Sequence, residues 1–422
     1  MKKLLKKMLY SIPSVKKLDN FNQGLIAELK EKEDVYDGNL LLMEQMNALN
    51  YRIEELDKLH DEVVERQWNQ DMSRKKYTCL YPFERIEIMP KGEVYTCCST
   101  YLKHNSYIGN IFQQTFEEIW NSTKAKKLRY SVSKGCFEYC NHNCKWLNEG
   151  IDPHAEERPP VTPIRARSTY DFTYNNYTEC EEKSFPKTIA LTCDESCNLY
   201  CKTCRNHRIV SSKEESLKLY ERLMTVVRPL LKECEHLDVL GSGDLFASKA
   251  VLDFVKTLTK EEFPNLKIFI ITNAQLLTET MWNSLTNLHQ IPVSIGVSVD
   301  AAEAIAYEEI RRGAKWDTLC KNLEFISNLR RKEDSNVTAL RLQFVIQRLN
   351  FMQMKDFVAF AKKYHADTVD FQRVANWGTF SDEDFLIEDV FHPDNENYSF
   401  ASNVLREICE SEKEIEIIRN TD

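Results

Sequence analysis

The chain has 422 residues, of which 42% are hydrophobic and 29% are charged, and its formal net charge is −9 at pH 7. This charge argues against a protein that binds nucleic acid through a broad basic surface, and the hydrophobic fraction is typical of a folded soluble protein. The length predicts two domains with extensions rather than one core. No stretch has the ~20 uninterrupted apolar residues that a membrane-spanning helix needs.

The first residues, MKKLLKKMLYSIPSVKK, are basic, but their apolar stretch is too short for a secretion signal and is interrupted by Pro13. We therefore expect a cytoplasmic protein, in which thiols stay reduced. The 14 cysteines of the chain are then expected to bind metal or iron–sulfur clusters rather than to form disulfides.

Residues 1–70 are predicted to form a basic amphipathic and helical extension. The basic segment fits contact with an anionic membrane surface, which would make the protein peripheral to the membrane, and a solvated terminus is the alternative. Beyond it, apolar residues at alternating intervals of four and three predict coiled-coil self-association, or a helix that packs on the chain's own core. These residues are Leu42, Met46, Leu49, Ile53, Leu56 and Val63, with His60 filling the one gap between Leu56 and Val63.

Residues 77–147 form a cysteine-rich module, which is predicted to be a small α+β domain that binds a cluster. A proline-rich linker is predicted over residues 148–180, because Pro153, Pro159, Pro160 and Pro163 interrupt both helix and sheet. The acidic and aromatic residues 379–422 are predicted to be a C-terminal extension that either closes the mouth of the next domain or lies on its surface.

Residues 185–378 alternate short β-rich runs with amphipathic helical patterns. Six such alternations predict an α/β fold in which parallel strands and crossover helices form a partial (βα)6 TIM-like barrel. Chemistry in this architecture collects where the strands end. The six predicted strands are KTIALTC, HLDVLGS, LKIFIITNA, PVSIGVSVD, ALRLQFVIQ and TVDFQRVANW.

Three cysteines, Cys197, Cys201 and Cys204, follow the first of these strands in the octapeptide CNLYCKTC. Three thiolates are too few for a structural zinc site, which usually has four protein ligands. A cubane [4Fe–4S] cluster that is held by three thiolates instead keeps one iron free to bind a small molecule.

This octapeptide, with LTCDES before it and Arg205 after it, resembles the cluster loop of radical S-adenosylmethionine (SAM) enzymes. The resemblance implies that polar residues after the following strands contact SAM, with the glycines of GSGD allowing close backbone approach and Asp244 accepting from the methionyl ammonium. A bidentate arginine is expected at the SAM carboxylate, and either Arg311 or Arg312 fits this role. The implied SAM-contacting residues are Gly241, Gly243, Asp244, Asn273, Ser298, Asp300 and Arg312.

Thr203 and Cys193 lie in or next to the cysteine loop but are not part of the triplet. The position before the third cysteine is often aromatic in this family and stacks near the adenine, but here it is Thr203. Cys193 precedes Cys197 by four residues, and since the triplet is complete without it we expect Cys193 to be a buried residue of the strand.

The upstream cysteine-rich module resembles the SPASM auxiliary-cluster domain, with a hairpin expected at Gly92. The resemblance implies Cys79, Cys97, Cys140 and Cys144 as ligands of a second [4Fe–4S] cluster, with Cys98 and Cys136 as substitutes. A four-cysteine zinc site is the alternative. In most relatives this domain follows the barrel, whereas here it precedes the barrel, which leaves open whether the auxiliary cluster lies beside the substrate.

The resemblance implies that the chain cleaves SAM reductively to a 5′-deoxyadenosyl radical, which abstracts a hydrogen atom from a substrate. A flavodoxin or ferredoxin is the expected one-electron donor. Oxidation or epimerisation of a sugar or surface-glycan precursor is the first interpretation, and maturation of a ribosomally made peptide is the second. A non-enzymatic scaffold that bears a cluster or zinc is the third.

Overall fold

The computed structural model describes residues 76–99, 102, 106–141, 144, 146–147, 163–167 and 174–421. These residues belong to a compact unit that covers Asp71–Asp422. The membrane-contacting segment and the coiled coil that are predicted for residues 1–70 lie outside the described residues. Among the helices of the described residues, none is long and apolar enough to cross a bilayer.

The strands of the described residues are short and separated by helices or turns. In chain order they are β1 (Tyr77–Cys79), β2 (Arg85–Ile88), β3 (Glu93–Tyr95), β4 (Gly109–Asn110), β5 (Ile164–Ala166), β6 (Thr188–Leu191), β7 (His236–Val239), β8 (Lys267–Thr272), β9 (Val293–Ser298), β10 (Val337–Ile346), β11 (Thr368–Arg373) and β12 (Glu416–Asn420).

The α-helices connect the parallel strands or flank them. They are α1 (Tyr81–Glu84), α2 (Phe116–Trp120), α3 (Thr123–Ser133), α4 (Lys213–Arg222), α5 (Lys249–Lys256), α6 (Glu279–Asn283), α7 (Ala304–Ile310), α8 (Trp316–Arg330), α9 (Met354–Lys363), α10 (Asp382–Glu388) and α11 (Tyr398–Ser411). A π-helical turn (Leu223–Val227) and a 3₁₀ turn (Arg228–Lys232) continue α4.

One ten-stranded sheet organises the unit, in the order β12-β11-β10-β9-β8-β7-β6-β2-β3-β4. Strand β2 and strands β6 to β12 are parallel, whereas β3 and β4 are antiparallel to their neighbours. We call the edge at which the parallel strands end the carboxyl edge, and the edge at which they begin the amino edge. The α/β class with a large parallel sheet and the six strands of residues 185–378 are confirmed, while closure into a partial barrel stays a prediction.

Both faces of the parallel strands are covered, which explains their nearly continuous apolar sequences. In β6, Ile189, Ala190 and Leu191 are all at most 1% exposed. The crossover helices present one apolar face to the sheet. In α5, for example, Phe254 and Val255 are fully buried, and the helix starts where the Ser248 hydroxyl accepts a hydrogen bond from the amide of Val251.

Three strand pairings were not predicted from the sequence. Strand β2 of the cysteine-rich module pairs with β6, so the module and the six-strand region share one sheet. Strand β12, from the predicted C-terminal extension, pairs with β11. Strand β5, from the predicted linker, pairs with β1. The hairpin expected at Gly92 is confirmed, since β2 and β3 flank the turn Pro90–Gly92.

Candidate functional site

The three cysteines of the triplet lie in one loop directly after β6, at the carboxyl edge. Cys197 and Cys201 are buried, whereas Cys204 is exposed. Backbone hydrogen bonds hold the loop to the end of α7 and the residues after it. The amide of Lys202 donates to the carbonyl of Ile310 (2.9 Å) and the amide of Tyr200 donates to that of Arg312 (3.1 Å). The sequence thus places all three thiols on a short, braced loop.

Cys193 lies after the last residue of β6, so the prediction that it belongs to the strand is wrong, although its burial is confirmed. The amide of Thr192 continues the pairing with β2, since it donates to the carbonyl of Ile88 (2.9 Å), and Cys193 follows outside the strand. Burial raises the pKa of the Cys193 thiol to about 12, so this thiol stays protonated.

The GSGD segment, residues 241–244, packs directly on the cysteine loop. A Cβ atom at Gly243 would stand 2.1 Å from the carbonyl oxygen of Ser196, and the Asp244 amide donates to the same oxygen at 2.8 Å. Gly241 has a φ of +65°, which favours glycine. Both glycines are therefore required by backbone geometry beside the loop.

The carboxylate of Asp244 ties this segment to the end of β8. It is 2% exposed and accepts hydrogen bonds from the Thr272 hydroxyl (2.8 Å), the Asn273 amide (2.8 Å) and the Phe246 amide (3.0 Å). Burial raises the pKa of this carboxyl, and the three hydrogen bonds oppose that effect. In this structure Asp244 therefore joins the segment after β7 to the end of β8 through buried hydrogen bonds.

Asn273 connects the end of β8 to the triplet. Its side-chain amide donates to the Asn198 side chain at 3.0 Å and lies 3.8 Å from the sulfur of Cys197. Asp244, Asn273 and the triplet are therefore brought together, as the sequence predicts for a common site. Ser298, at the end of β9, instead donates to the Gln343 side chain on β10 at 2.9 Å.

The two adjacent arginines have different contacts. The Arg312 guanidinium donates to the carbonyls of Tyr200 (2.9 Å) and Arg205 (3.0 Å), and thus braces the cysteine loop. The Arg311 guanidinium pairs with Asp300 at 2.7 Å and lies 3.8 Å from the sulfur of Cys201. In this structure the Arg312 guanidinium binds the backbone of the cysteine loop. Its contact with the SAM carboxylate stays a prediction.

A second group of thiols lines one cavity in the cysteine-rich module. Its walls are otherwise mostly apolar. Cys98 and Cys136 are not among the residues that line it. The lining consists of Cys79, Cys97, Cys140 and Cys144 together with Tyr81, Pro82, Leu102, Leu128, Val132, Phe137, Trp146, Leu147 and Ile164. All four cysteines that the SPASM resemblance implies as ligands therefore face a common space.

Burial in these apolar walls raises the pKa of the Cys79 thiol to about 12 and the pKa of Cys97 well above its usual value, and the neighbouring cysteines add to both effects. Metal binding must therefore displace protons from these thiols. Four sulfur donors suit an iron–sulfur cluster or zinc, so the residues present fit the implied group. In the part of the chain that the structure describes, no group of three or more His, Cys, Asp or Glu side chains is arranged to hold a single metal ion.

This auxiliary cavity and the triplet lie at opposite edges of the sheet. Cys79 precedes β2 and Cys97 follows the antiparallel β3, which places both near the amino edge, whereas the triplet follows the carboxyl end of β6. Strands β2 and β6 pair over the length of β2, which corresponds to about 13 Å along the strands at ~3.3 Å per residue.

The cavity lining predicts which cysteines hold the auxiliary cluster. Cys98→Ser and Cys136→Ser are expected to retain the wild-type iron content after anaerobic reconstitution, because neither side chain lines the cavity. Cys97→Ser is expected to lose the auxiliary iron, since a hydroxyl is a poor ligand for iron in such clusters. Iron per chain measures this, and equal losses in Cys97→Ser and Cys98→Ser would refute the assignment.

Comparison with family models agrees with this pair of sites. Residues 195–340 match the radical SAM superfamily, and residues 79–145 match SPASM, an iron–sulfur cluster-binding domain. These matches support the radical SAM superfamily with an auxiliary cluster domain. A radical SAM domain implies a [4Fe–4S] cluster and SAM as cofactors of an enzyme, and the SPASM domain indicates a further cluster. No curated protein matches the chain.

Several solved structures are similar to the chain at low identity. SAM-bound SuiB from Streptococcus suis is 16% identical with a TM-score of 0.41, and the match covers 71% of this chain and 66% of that chain. SuiB bound to its precursor peptide SuiA is 14% identical with a TM-score of 0.39, with 82% and 72% covered. A radical SAM methyltransferase from Sphaerobacter thermophilus is 12% identical with a TM-score of 0.36, with 55% and 65% covered. The chain thus spans slightly less than two thirds of SAM-bound SuiB and of the methyltransferase.

The sequence did not reveal the contacts that hold the triplet in place. Arg311 reaches Cys201 only because the segment after α7 pairs with the cysteine loop, and no local spacing signals this long-range pairing. The Gly243 contact with Ser196 is likewise visible only in three dimensions. Arg205 is different, because it directly follows Cys204 in the sequence and could be expected near it. Its guanidinium lies 3.3 Å from the Cys204 sulfur and donates to the carbonyls of Glu195 and Ser242.

Proposed function

We propose that the chain reductively cleaves SAM at a [4Fe–4S] cluster held by Cys197, Cys201 and Cys204, and that the resulting 5′-deoxyadenosyl radical abstracts a hydrogen atom from a substrate at the carboxyl edge. When bound, the cluster supplies one electron to the SAM sulfonium, and a reduced flavodoxin or ferredoxin replaces that electron. The observation that carries this proposal is the braced three-thiol loop, with GSGD and Asn273 packed on it.

The residues around the triplet have different roles in binding and positioning SAM. Gly241 and Gly243 keep the backbone open beside the loop, and Asp244 fixes them to the end of β8. The Asn273 and Ser298 side chains lie at the ends of neighbouring strands, where they supply polar groups for the ligand. Asp300 acts through its ion pair with Arg311, and Arg312 keeps the loop in its conformation.

The auxiliary cavity is proposed to hold a second [4Fe–4S] cluster through Cys79, Cys97, Cys140 and Cys144. When bound, that cluster would supply a second one-electron site. Its apolar walls exclude water and hold the thiols together in the apoprotein.

For the substrate we propose a peptide, and the sugar or surface-glycan precursor is not proposed further because the comparisons give it no support. The loops and helices that follow β9, β10 and β11 expose large apolar side chains: Ile305 is 79% exposed, Met352 63% and Trp377 65%. We propose that these side chains contact apolar side chains of a peptide, which suit such surface better than sugar hydroxyls do.

The proposed SAM cleavage is tested with anaerobically reconstituted, dithionite-reduced protein and SAM. We expect 5′-deoxyadenosine and methionine in equal amounts, and addition of a pool of synthetic peptides is expected to raise their rate of formation more than a pool of nucleotide sugars. A cluster-containing protein that forms no 5′-deoxyadenosine would be a scaffold. Stimulation by the nucleotide sugars alone would refute the peptide proposal while leaving SAM cleavage intact.

A further inference from the structure

Each sulfur of the triplet has one nitrogen donor from a side chain beside it. The Asn273 amide lies 3.8 Å from Cys197, the Arg311 guanidinium 3.8 Å from Cys201 and the Arg205 guanidinium 3.3 Å from Cys204. Two of these three donors carry a positive charge. The surroundings of the triplet are therefore electrically asymmetric, with the cations at Cys201 and Cys204.

Arg311 is the more enclosed of the two cations near the triplet. Its side chain is 14% exposed and pairs through Nη2 with Asp300, whose side chain is 2% exposed, while Nη1 faces the Cys201 sulfur. Arg205 lies beside the exposed Cys204. Because charge interactions are weaker where water screens them, Arg311 is the cation with the larger expected influence.

The position of Arg311 is fixed from several directions. Asp300 has a φ of +65° and accepts a hydrogen bond from the Val345 amide on β10 at 2.8 Å. Its carbonyl accepts from the Asn350 side chain at 2.7 Å. The Arg311 amide donates to the carbonyl of Tyr307 at 2.8 Å. These hydrogen bonds fix the Asp300 carboxylate and the Arg311 backbone, and the guanidinium lies beside Cys201.

We propose that Arg311 is a positioning residue for the electron-transfer step, which donates a hydrogen bond to the Cys201 thiolate and raises the reduction potential of the cluster held by the triplet. This inference rests on the proposed function. Reduction adds negative charge to the cluster, and hydrogen bonds to the cluster sulfurs stabilise that charge. Asp300 moderates the effect, because its carboxylate partly neutralises the guanidinium.

The test is an anaerobic redox titration of the full chain without SAM, followed by electron paramagnetic resonance. The relevant signal is identified by its absence from the variant that lacks the triplet. Arg311→Gln is expected to lower the ratio of reduced to oxidised cluster about tenfold at a fixed ambient potential, which is about 59 mV for one electron. Arg205→Gln is expected to produce a smaller shift in the same direction.

Two variants separate this role from general changes in charge or stability. Asp300→Asn is expected to shift the potential upwards, since the guanidinium loses its counter-charge while asparagine tolerates the left-handed backbone. Arg228→Gln removes the same charge as Arg311→Gln from a residue that contacts Thr257 and Glu262 rather than the cysteine loop, and is expected to leave the potential unchanged. Iron content and thermal unfolding are measured on every variant.

An unchanged potential in Arg311→Gln with full iron content would overturn the inference. Equal shifts in Arg311→Gln and Arg228→Gln would also overturn it. The same holds for an Arg311→Gln variant that binds SAM more weakly without any shift before SAM is added, because that result would make Arg311 a SAM ligand. If Arg311→Gln loses iron, the opposite shift of Asp300→Asn decides the question. A wild-type chain without any triplet-dependent cluster would instead refute the proposed function.

Discussion

Replacing Cys197, Cys201 and Cys204 together by alanine is expected to abolish formation of 5′-deoxyadenosine. The three thiols lie on one loop at the carboxyl edge, and alanine offers no ligand for iron, so the cluster that reduces SAM is lost. The auxiliary cavity lies near the other edge of the sheet and contains none of these residues. We therefore expect the auxiliary iron to remain, and product is measured by chromatography after reduction in the presence of SAM.

Cys193→Ala is the matched control for this variant. Cys193 lies four residues before Cys197 in the same connection and is buried with a protonated thiol. Its replacement is expected to leave product formation within about twofold of the wild type, since only the triplet is assigned to the cluster. Product formation by the triple variant, or its complete loss in Cys193→Ala, would contradict the ligand assignment.

Gly243→Ala is expected to disturb the triplet without removing any ligand. The added Cβ would stand 2.1 Å from the Ser196 carbonyl oxygen, which is backbone of the cysteine loop and has no flexible side chain to move aside. The loop must shift, at a cost of roughly 1–3 kcal/mol or more in the free energy of unfolding. We expect loss of most triplet-bound iron and at least a ~100-fold fall in SAM cleavage, because misplacement of ~1 Å already costs about that much.

Gly378→Ala separates this steric effect from the general cost of replacing glycine. Gly378 has a φ of +90°, and a Cβ added there would have no heavy atom within 4 Å, so its replacement adds only backbone strain. That strain costs about 1–2 kcal/mol. Iron content and product formation are expected to stay at wild-type levels in Gly378→Ala. Equal losses in the two variants would show that the Ser196 contact is unimportant.

The cysteine triplet and the six-strand pattern were predictable because both are local. Cys197, Cys201 and Cys204 share one short loop, and buried parallel strands such as β6 have continuous apolar sequences that distinguish them from amphipathic helices. The auxiliary cysteines were also placed together, since all four implied ligands line one cavity. Their recognition depended on the resemblance to a known domain rather than on spacing alone.

The pairings between distant segments were not predictable from local patterns. Pairing of β2 with β6 joins residues that are far apart in the sequence, and it is this pairing that puts the auxiliary cavity near the amino edge. The choice between Arg311 and Arg312 likewise depends on how the end of α7 meets the cysteine loop. Adjacent residues with the same side chain carry no sequence signal that would separate their roles.

The central claim is that one chain holds two [4Fe–4S] clusters at separate sites, and iron and acid-labile sulfide per chain test it most directly. In the anaerobically reconstituted wild type we expect about eight iron and about eight sulfide atoms, which two such clusters require. About four of each, with one zinc per chain, would contradict the claim. That result would make the auxiliary site structural and leave the triplet as the sole cluster site.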